Sequence, residues 1–278
     1  MKTLKQVSMI LIFSIMIVLS AQATDNAKEE RWANQVTEFL LDGDTEWLEA
    51  NGKKFLSIFT PAATDNTVGA VILLHGRGAH PDWPQVIQPL RIQLPGKGWA
   101  TLSLQMPVLS GDAFDRDYIM LFDEVPERIK AALDFLSQKN ITNIVLIGHS
   151  LGATMATDYL SRLDDERIKA FVGIGMKAMK QPDKYHALDN ANSLQKIKLP
   201  VLDIYGSKTI EEILYSADLR SMAIRQAGNA KSRQIKIEGT GHFFEGYEDK
   251  LLDNILTWID ETTPVNEQSL SAINNKPQ

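Results

Sequence analysis

Hydrophobic positions alternate between two periods along the chain. Trp32, Val36, Phe39 and Leu40 recur at helical spacing from Glu29 onward and predict one amphipathic helix on the outside of a domain. Segments 47–50 and 53–59 then flank Asn51-Gly52, a pair whose tolerance of positive φ makes it the strongest short signal for a hairpin. Residues 68–74 form a continuous apolar run, the pattern of a strand buried on both faces. Further buried strands are predicted at 99–104, 141–147, 168–174, 201–205 and 234–237. Between them fall helices at 83–94 (kinked at Pro89), 122–136 (capped by Asp123, with Pro126 in its first turn), 151–163, 212–227 and 247–259. Strand and helix in this order predict an α/β domain with a mostly parallel sheet, helices on both faces and an N-terminal antiparallel hairpin.

The ends of the chain read differently. Lys2 and Lys5 precede an apolar stretch over 7–19, followed by Ala21-Gln22-Ala23, the order of a secretory signal peptide cleaved near Ala23. The stretch is too short for a membrane span. No cysteine stands there to carry a lipid, which points to a soluble periplasmic or secreted bacterial protein with no integral span after cleavage. The predicted organisation is signal peptide 1–23, a single domain 24–262 and a flexible polar tail 263–278. Segment 175–199 is neither clear strand nor clear helix and leaves room for little or no lid.

Composition narrows the function. With 44% apolar residues, 23% charged residues and a net charge of −6, the chain is an ordinary globular protein without the cationic surplus that nucleic-acid binding needs. The absence of cysteine excludes disulfides and thiolate metal sites. There is no phosphate loop, no H-E-x-x-H and no dinucleotide fingerprint, so neither cofactor nor metal is expected.

The chemistry concentrates in Gly148-His149-Ser150-Leu151-Gly152, a G-x-S-x-G placed between a predicted strand and a predicted helix. A serine on that turn stands up at the carboxyl edge of the sheet, with helix N–H groups pointing at the place where an oxyanion would form. In these residues the chain resembles the α/β-hydrolase superfamily, and the resemblance covers nearly all of it beyond the signal segment. The stretch from His75-Gly76-Arg77-Gly78-Ala79 to Asp82-Trp83-Pro84 is similar to a functionally unassigned subgroup of exported bacterial proteins of that fold. The resemblance implies Ser150 as nucleophile, the backbone N–H groups of Arg77 and Leu151 as oxyanion hole, and His242 as general base, because His242 lies between the last strand and the last helix.

The superfamily also implies an acid between Ser150 and His242, and the sequence departs from the pattern there. Thr209 occupies the usual position after the strand at 201–205. Glu211 is the first candidate for the acid; Glu212, Asp203, Asp183 and Asp189 are the others, and an absent acid is a further alternative. Of the remaining histidines, His75 and His149 suit turn-stabilising roles, and His80 and His186 suit surface or substrate-lining ones. The activity implied is hydrolysis of a small-molecule carboxylic ester or thioester through an acyl-enzyme. The alternatives are acyl transfer to another alcohol, or a binding or envelope protein that kept the fold with weak or no catalysis.

Overall fold

The computed structural model describes residues 24–178 and 183–263. The signal-like segment and the tail beyond 263 lie outside the described residues; Thr263 itself is buried and continues the last helix through its N–H to Ile259 O (2.7 Å). The elements in order are α1 (Asn26–Phe39), β1 (Asp44–Ala50), β2 (Lys53–Thr60), β3 (Gly69–Leu74), α2 (Ile87–Gln93), β4 (Trp99–Leu104), α3 (Val125–Gln138), β5 (Ile144–His149), α4 (Leu151–Arg162), β6 (Ile168–Ile174), α5 (Asn190–Leu194), β7 (Val201–Gly206), α6 (Glu211–Tyr215), α7 (Ala217–Ala227), β8 (Arg233–Ile237) and α8 (Glu248–Thr262).

The eight strands form one sheet in the order β1-β2-β4-β3-β5-β6-β7-β8. β2 is antiparallel to both of its neighbours and every other pair is parallel, so β2 alone runs against the rest. The hairpin turns at Asn51 (φ 53°) and Gly52 (φ 74°), as its sequence predicts. Because side chains alternate across a strand, each central strand feeds two cores. Ala70, Ile72 and Leu74 of β3 pack with Ile129, Leu133 and Met155 of α3 and α4 on one face. Val71 and Leu73 pack with Leu90 of α2 and Ile255 and Trp258 of α8 on the other. This double burial explains why the central strands read as unbroken apolar runs.

Several boundaries shift for local reasons. α2 starts at Ile87 instead of residue 83, which places Pro89 in the first turn, where its missing N–H costs no helical hydrogen bond. α3 begins at Val125 with Pro126 in its opening turn, and Asp123 does not cap it. The single helix predicted at 212–227 is two, broken at Ser216, whose hydroxyl donates to Glu212 O (2.5 Å) and accepts from Arg220 Nη1 (2.8 Å). The stretch between β4 and α3, which carries no periodic pattern, holds a 3₁₀ turn at Asp115–Leu121. Another, at Asp183–Leu188, precedes α5. No helix among the described residues is long and apolar enough to cross a membrane.

Candidate active site

The carboxyl ends of β3, β5, β6 and β7 converge on Ser150. It sits between β5 and α4 with φ 55° and ψ −117°, a conformation a non-glycine residue holds only where its surroundings enforce it. The enforcement is visible at both flanking glycines. A Cβ on Gly148 would lie 2.6 Å from the Ala153 backbone, and one on Gly152 would lie 2.4 Å from Leu74 O and His75 O. Bare backbone at these two positions lets α4 press against β5 and the end of β3. The Ser150 N–H donates to Ile174 O (2.8 Å), tying the turn to the end of β6. Leu151 is the first residue of α4, so its N–H has no intrahelical acceptor and points with the helix dipole toward the site.

The turn after β3 packs against this serine: a Cβ on Gly76 would be 3.2 Å from Ser150 Cβ. Its direction is set by His75. The Met106 N–H donates to His75 Nε2 (2.9 Å), so the ring proton sits on Nδ1 and donates to Gly76 O (2.9 Å). In a trans peptide the carbonyl and the following N–H point opposite ways, so fixing Gly76 O also fixes the Arg77 N–H. Burial pushes His75 down to about 3 and keeps it neutral.

His242 lies in the loop between β8 and α8. Gly175, just past β6, backs it closely enough that a Cβ there would be 2.9 Å from His242 Cε1. His149 covers it from the Ser150 side, ring centroids 4.8 Å apart, and the His149 Nε2–H donates to His242 O (3.2 Å). The residue before Ser150 therefore holds the loop of the candidate base. Burial lowers His242 to about 4, helped by the Lys177 ammonium and opposed by Asp115.

The partner of His242 Nδ1 is Thr209, whose buried hydroxyl lies 3.3 Å away. Glu211 and Glu212 stand exposed on the first turn of α6, and among the described residues no ion pair or hydrogen bond joins either side chain to His242. Asp203 is fully buried in β7 and bound by Arg220 Nε (2.7 Å) and Gln234 Nε2 (2.7 Å). Arg220 also donates to Ile213 O (2.9 Å), so the pair holds the corner between α6 and α7. Asp189 caps α5 by accepting from the Asn192 N–H (3.1 Å), and the Asp183 side chain lies outside the described residues. His80 packs edge-on between Trp32 and Trp83, and His186 is exposed in the turn before α5.

Two residues at the mouth carry no signal in the sequence. Asp115, in the turn after β4, bridges Arg77 Nε (3.2 Å) and Lys177 Nζ (3.0 Å), and Arg77 Nη1 also donates to Ala113 O (2.9 Å). Phe243 stands half-exposed with its ring 5.1 Å from that of His242. Among the described residues no group of three or more His, Asp or Glu side chains is arranged to hold a metal ion.

The fold is that of the α/β-hydrolases. The chain superposes on Est1E from Butyrivibrio proteoclasticus with a TM-score of 0.60 at 17% identity, over 78% of this chain and 99% of that one. An alpha-beta serine hydrolase homologue from Coxiella burnetii gives 0.59 at 16%, over 79% and 98%. The esterase Pf2001 from Pyrococcus furiosus gives 0.59 at 15%, over 82% and 95%. At these identities the likeness is one of fold. No curated protein matches the sequence. A family model described as "Protein of unknown function (DUF3530)" matches residues 14–118 and 120–261.

Proposed function

Because the chain belongs to the DUF3530 family and carries the α/β-hydrolase fold, we propose that it is a serine hydrolase acting outside the cytoplasm on a small-molecule carboxylic ester or thioester. The observation that carries this reading is the strained Ser150 turn, packed on one side by Gly76 and tied on the other to the His242 loop through His149. A backbone conformation that costs of order 1–3 kcal/mol is kept where it positions a reacting atom.

In this mechanism His242 Nε2 accepts the Ser150 hydroxyl proton as Oγ attacks the carbonyl carbon. The N–H groups of Arg77 and Leu151 hold the resulting oxyanion, each contributing about 3 kcal/mol. The proton passes from Nε2 to the leaving alcohol or thiol, and water activated by the same imidazole releases the acid from Ser150. For Nε2 to be the base, the other ring proton must sit on Nδ1 and be accepted by Thr209 Oγ1. A hydroxyl supports that tautomer but offers no negative charge to an imidazolium, so the arrangement is a serine–histidine dyad steadied by threonine. The exposure of Glu211 and the engagement of Asp203 with Arg220 support this over a carboxylate triad.

The Thr209 substitution also favours a second reading, a binding protein with little catalysis. Intact mass after incubation with a fluorophosphonate separates the two. The serine hydrolase takes up one phosphonyl group with loss of fluoride, and the Ser150→Ala variant takes up none. A folded wild-type protein that stays unmodified overturns the hydrolase reading.

A further inference from the structure

Thr24 is buried, 4% exposed, at the start of the described chain, and both its N–H and its hydroxyl are engaged. Its hydroxyl accepts from the Val108 N–H (2.9 Å) and lies 3.0 Å from Val108 O and 2.6 Å from Glu29 Oε1. The next residue continues the attachment, Asp25 N donating to Val108 O (2.7 Å) while the Asp25 carboxylate caps α1 through the Lys28 N–H (3.0 Å). The Thr24 nitrogen itself points at a carboxylate, Glu124 Oε1, at 3.2 Å.

The charges around that nitrogen do not balance. Glu29 and Glu124 share a single guanidinium, Arg128 Nη2, at 2.9 Å and 3.5 Å, and Arg128 spends another N–H on Gln105 O (2.7 Å). The nearby Lys28 ammonium turns away to Leu109 O (2.8 Å) and the Trp32 ring. Among the described residues Arg128 is the one cation that bridges either carboxylate, so two negative charges share a single partner in a partly buried cluster, an arrangement costly to bury. A peptide N–H brings one hydrogen and no charge to Glu124; an α-ammonium brings a full positive charge and two more hydrogens. The bond before Thr24 is the one that Ala21-Gln22-Ala23 marks for cleavage.

We infer that the working protein is made by hydrolysis of the Ala23–Thr24 peptide bond and that the Thr24 α-ammonium so released docks between Glu124 and Glu29. In that step water adds across the bond by the action of a peptidase, leaving a carboxylate on Ala23 and a protonated amine on Thr24. The docked terminus fastens residues 105–109, the start of the segment that carries Asp115 to the mouth of the catalytic site. Cleavage adds an ion pair at the point where Thr24 and Asp25 already fasten this segment to Val108.

The test uses the full-length gene expressed with export, followed by N-terminal sequencing and timed acetylation of amines with an N-hydroxysuccinimide ester. The chain begins at Thr24, and its α-amine acetylates at least about tenfold more slowly in the folded protein than in denaturant, because reaction requires local opening. In Glu124→Gln the same amine reacts faster while the lysines keep their rates. A mature chain beginning at another residue, or a Thr24 amine that reacts as fast folded as unfolded, overturns the inference. The wild-type ratio decides the question even if Glu124→Gln fails to fold.

Discussion

The two halves of the candidate site are built on different terms. Around Ser150 the essential parts are backbone: a strained turn, two glycines that admit a helix to within contact of two strands, and N–H groups aimed by a helix end and by the pinned carbonyl of Gly76. Around His242 they are side chains: the Thr209 hydroxyl on Nδ1, the His149 ring over its face and charges at the mouth. Backbone features depend on the whole fold and cannot be exchanged singly. Side-chain features can change one at a time, and the position that departs from the superfamily pattern, Thr209, lies in that half. The comparison teaches that, in the dyad proposed above, the serine turn can stay intact while the strength of the base is set by one neighbour.

The largest effect should come from removing the base altogether. His242→Ala is expected to lower kcat/KM on an activated ester by about 10⁴-fold or more while the oxyanion half stays folded. Stopped-flow kinetics beside a thermal melt checks both parts, and a loss below tenfold breaks the division drawn above. Next, Thr209→Asp places a carboxylate on Nδ1 and should raise kcat at pH 7 by about ten- to a hundredfold, the direction opposite to acid removal in a complete triad. The same variant should move the pH profile. In the wild type the imidazole lies near 4, so kcat/KM stays level down to about pH 5 and falls as pH drops through 4 and protonation takes the base away. An adjacent carboxylate favours the protonated ring, so the acid limb in the variant shifts upward. A profile that does not move would mean that residue 209 does not reach the ring in solution. The smallest effect belongs to Glu211→Gln. An exposed residue on the first turn of α6 should leave kcat within about twofold and change stability only by the few tenths of a kcal/mol of a helix-dipole contact. A loss of orders of magnitude would return the acid to Glu211.

The same division explains what could be read from the sequence. The sheet, the hairpin and the Ser150 turn were legible because burial on two faces, an Asn-Gly turn and the G-x-S-x-G spacing are local signatures of backbone geometry. Thr209 was visible as a departure, but a threonine in a turn carries no mark that its hydroxyl faces an imidazole. Asp115 and Lys177 were not legible: they lie in aperiodic segments after β4 and β6, and only the closing of the sheet brings them together over Arg77. Glu211 is near the turn in sequence, yet α6 starts at that very residue and leaves it exposed.

The buried pair of Asp203 and Arg220 makes the protein respond unequally to ionic strength. At 1 M salt the Debye length is about 3 Å, short enough to screen contacts that water can reach. The bridge from Asp115 to Arg77 and Lys177 is a third to nearly half exposed and weakens under those conditions, loosening the segment over the mouth. Asp203 and Arg220, with no exposure at all, are closed to mobile ions, and the corner that follows Thr209 keeps its shape. Added salt therefore acts on the entrance of the site and leaves its foundation untouched.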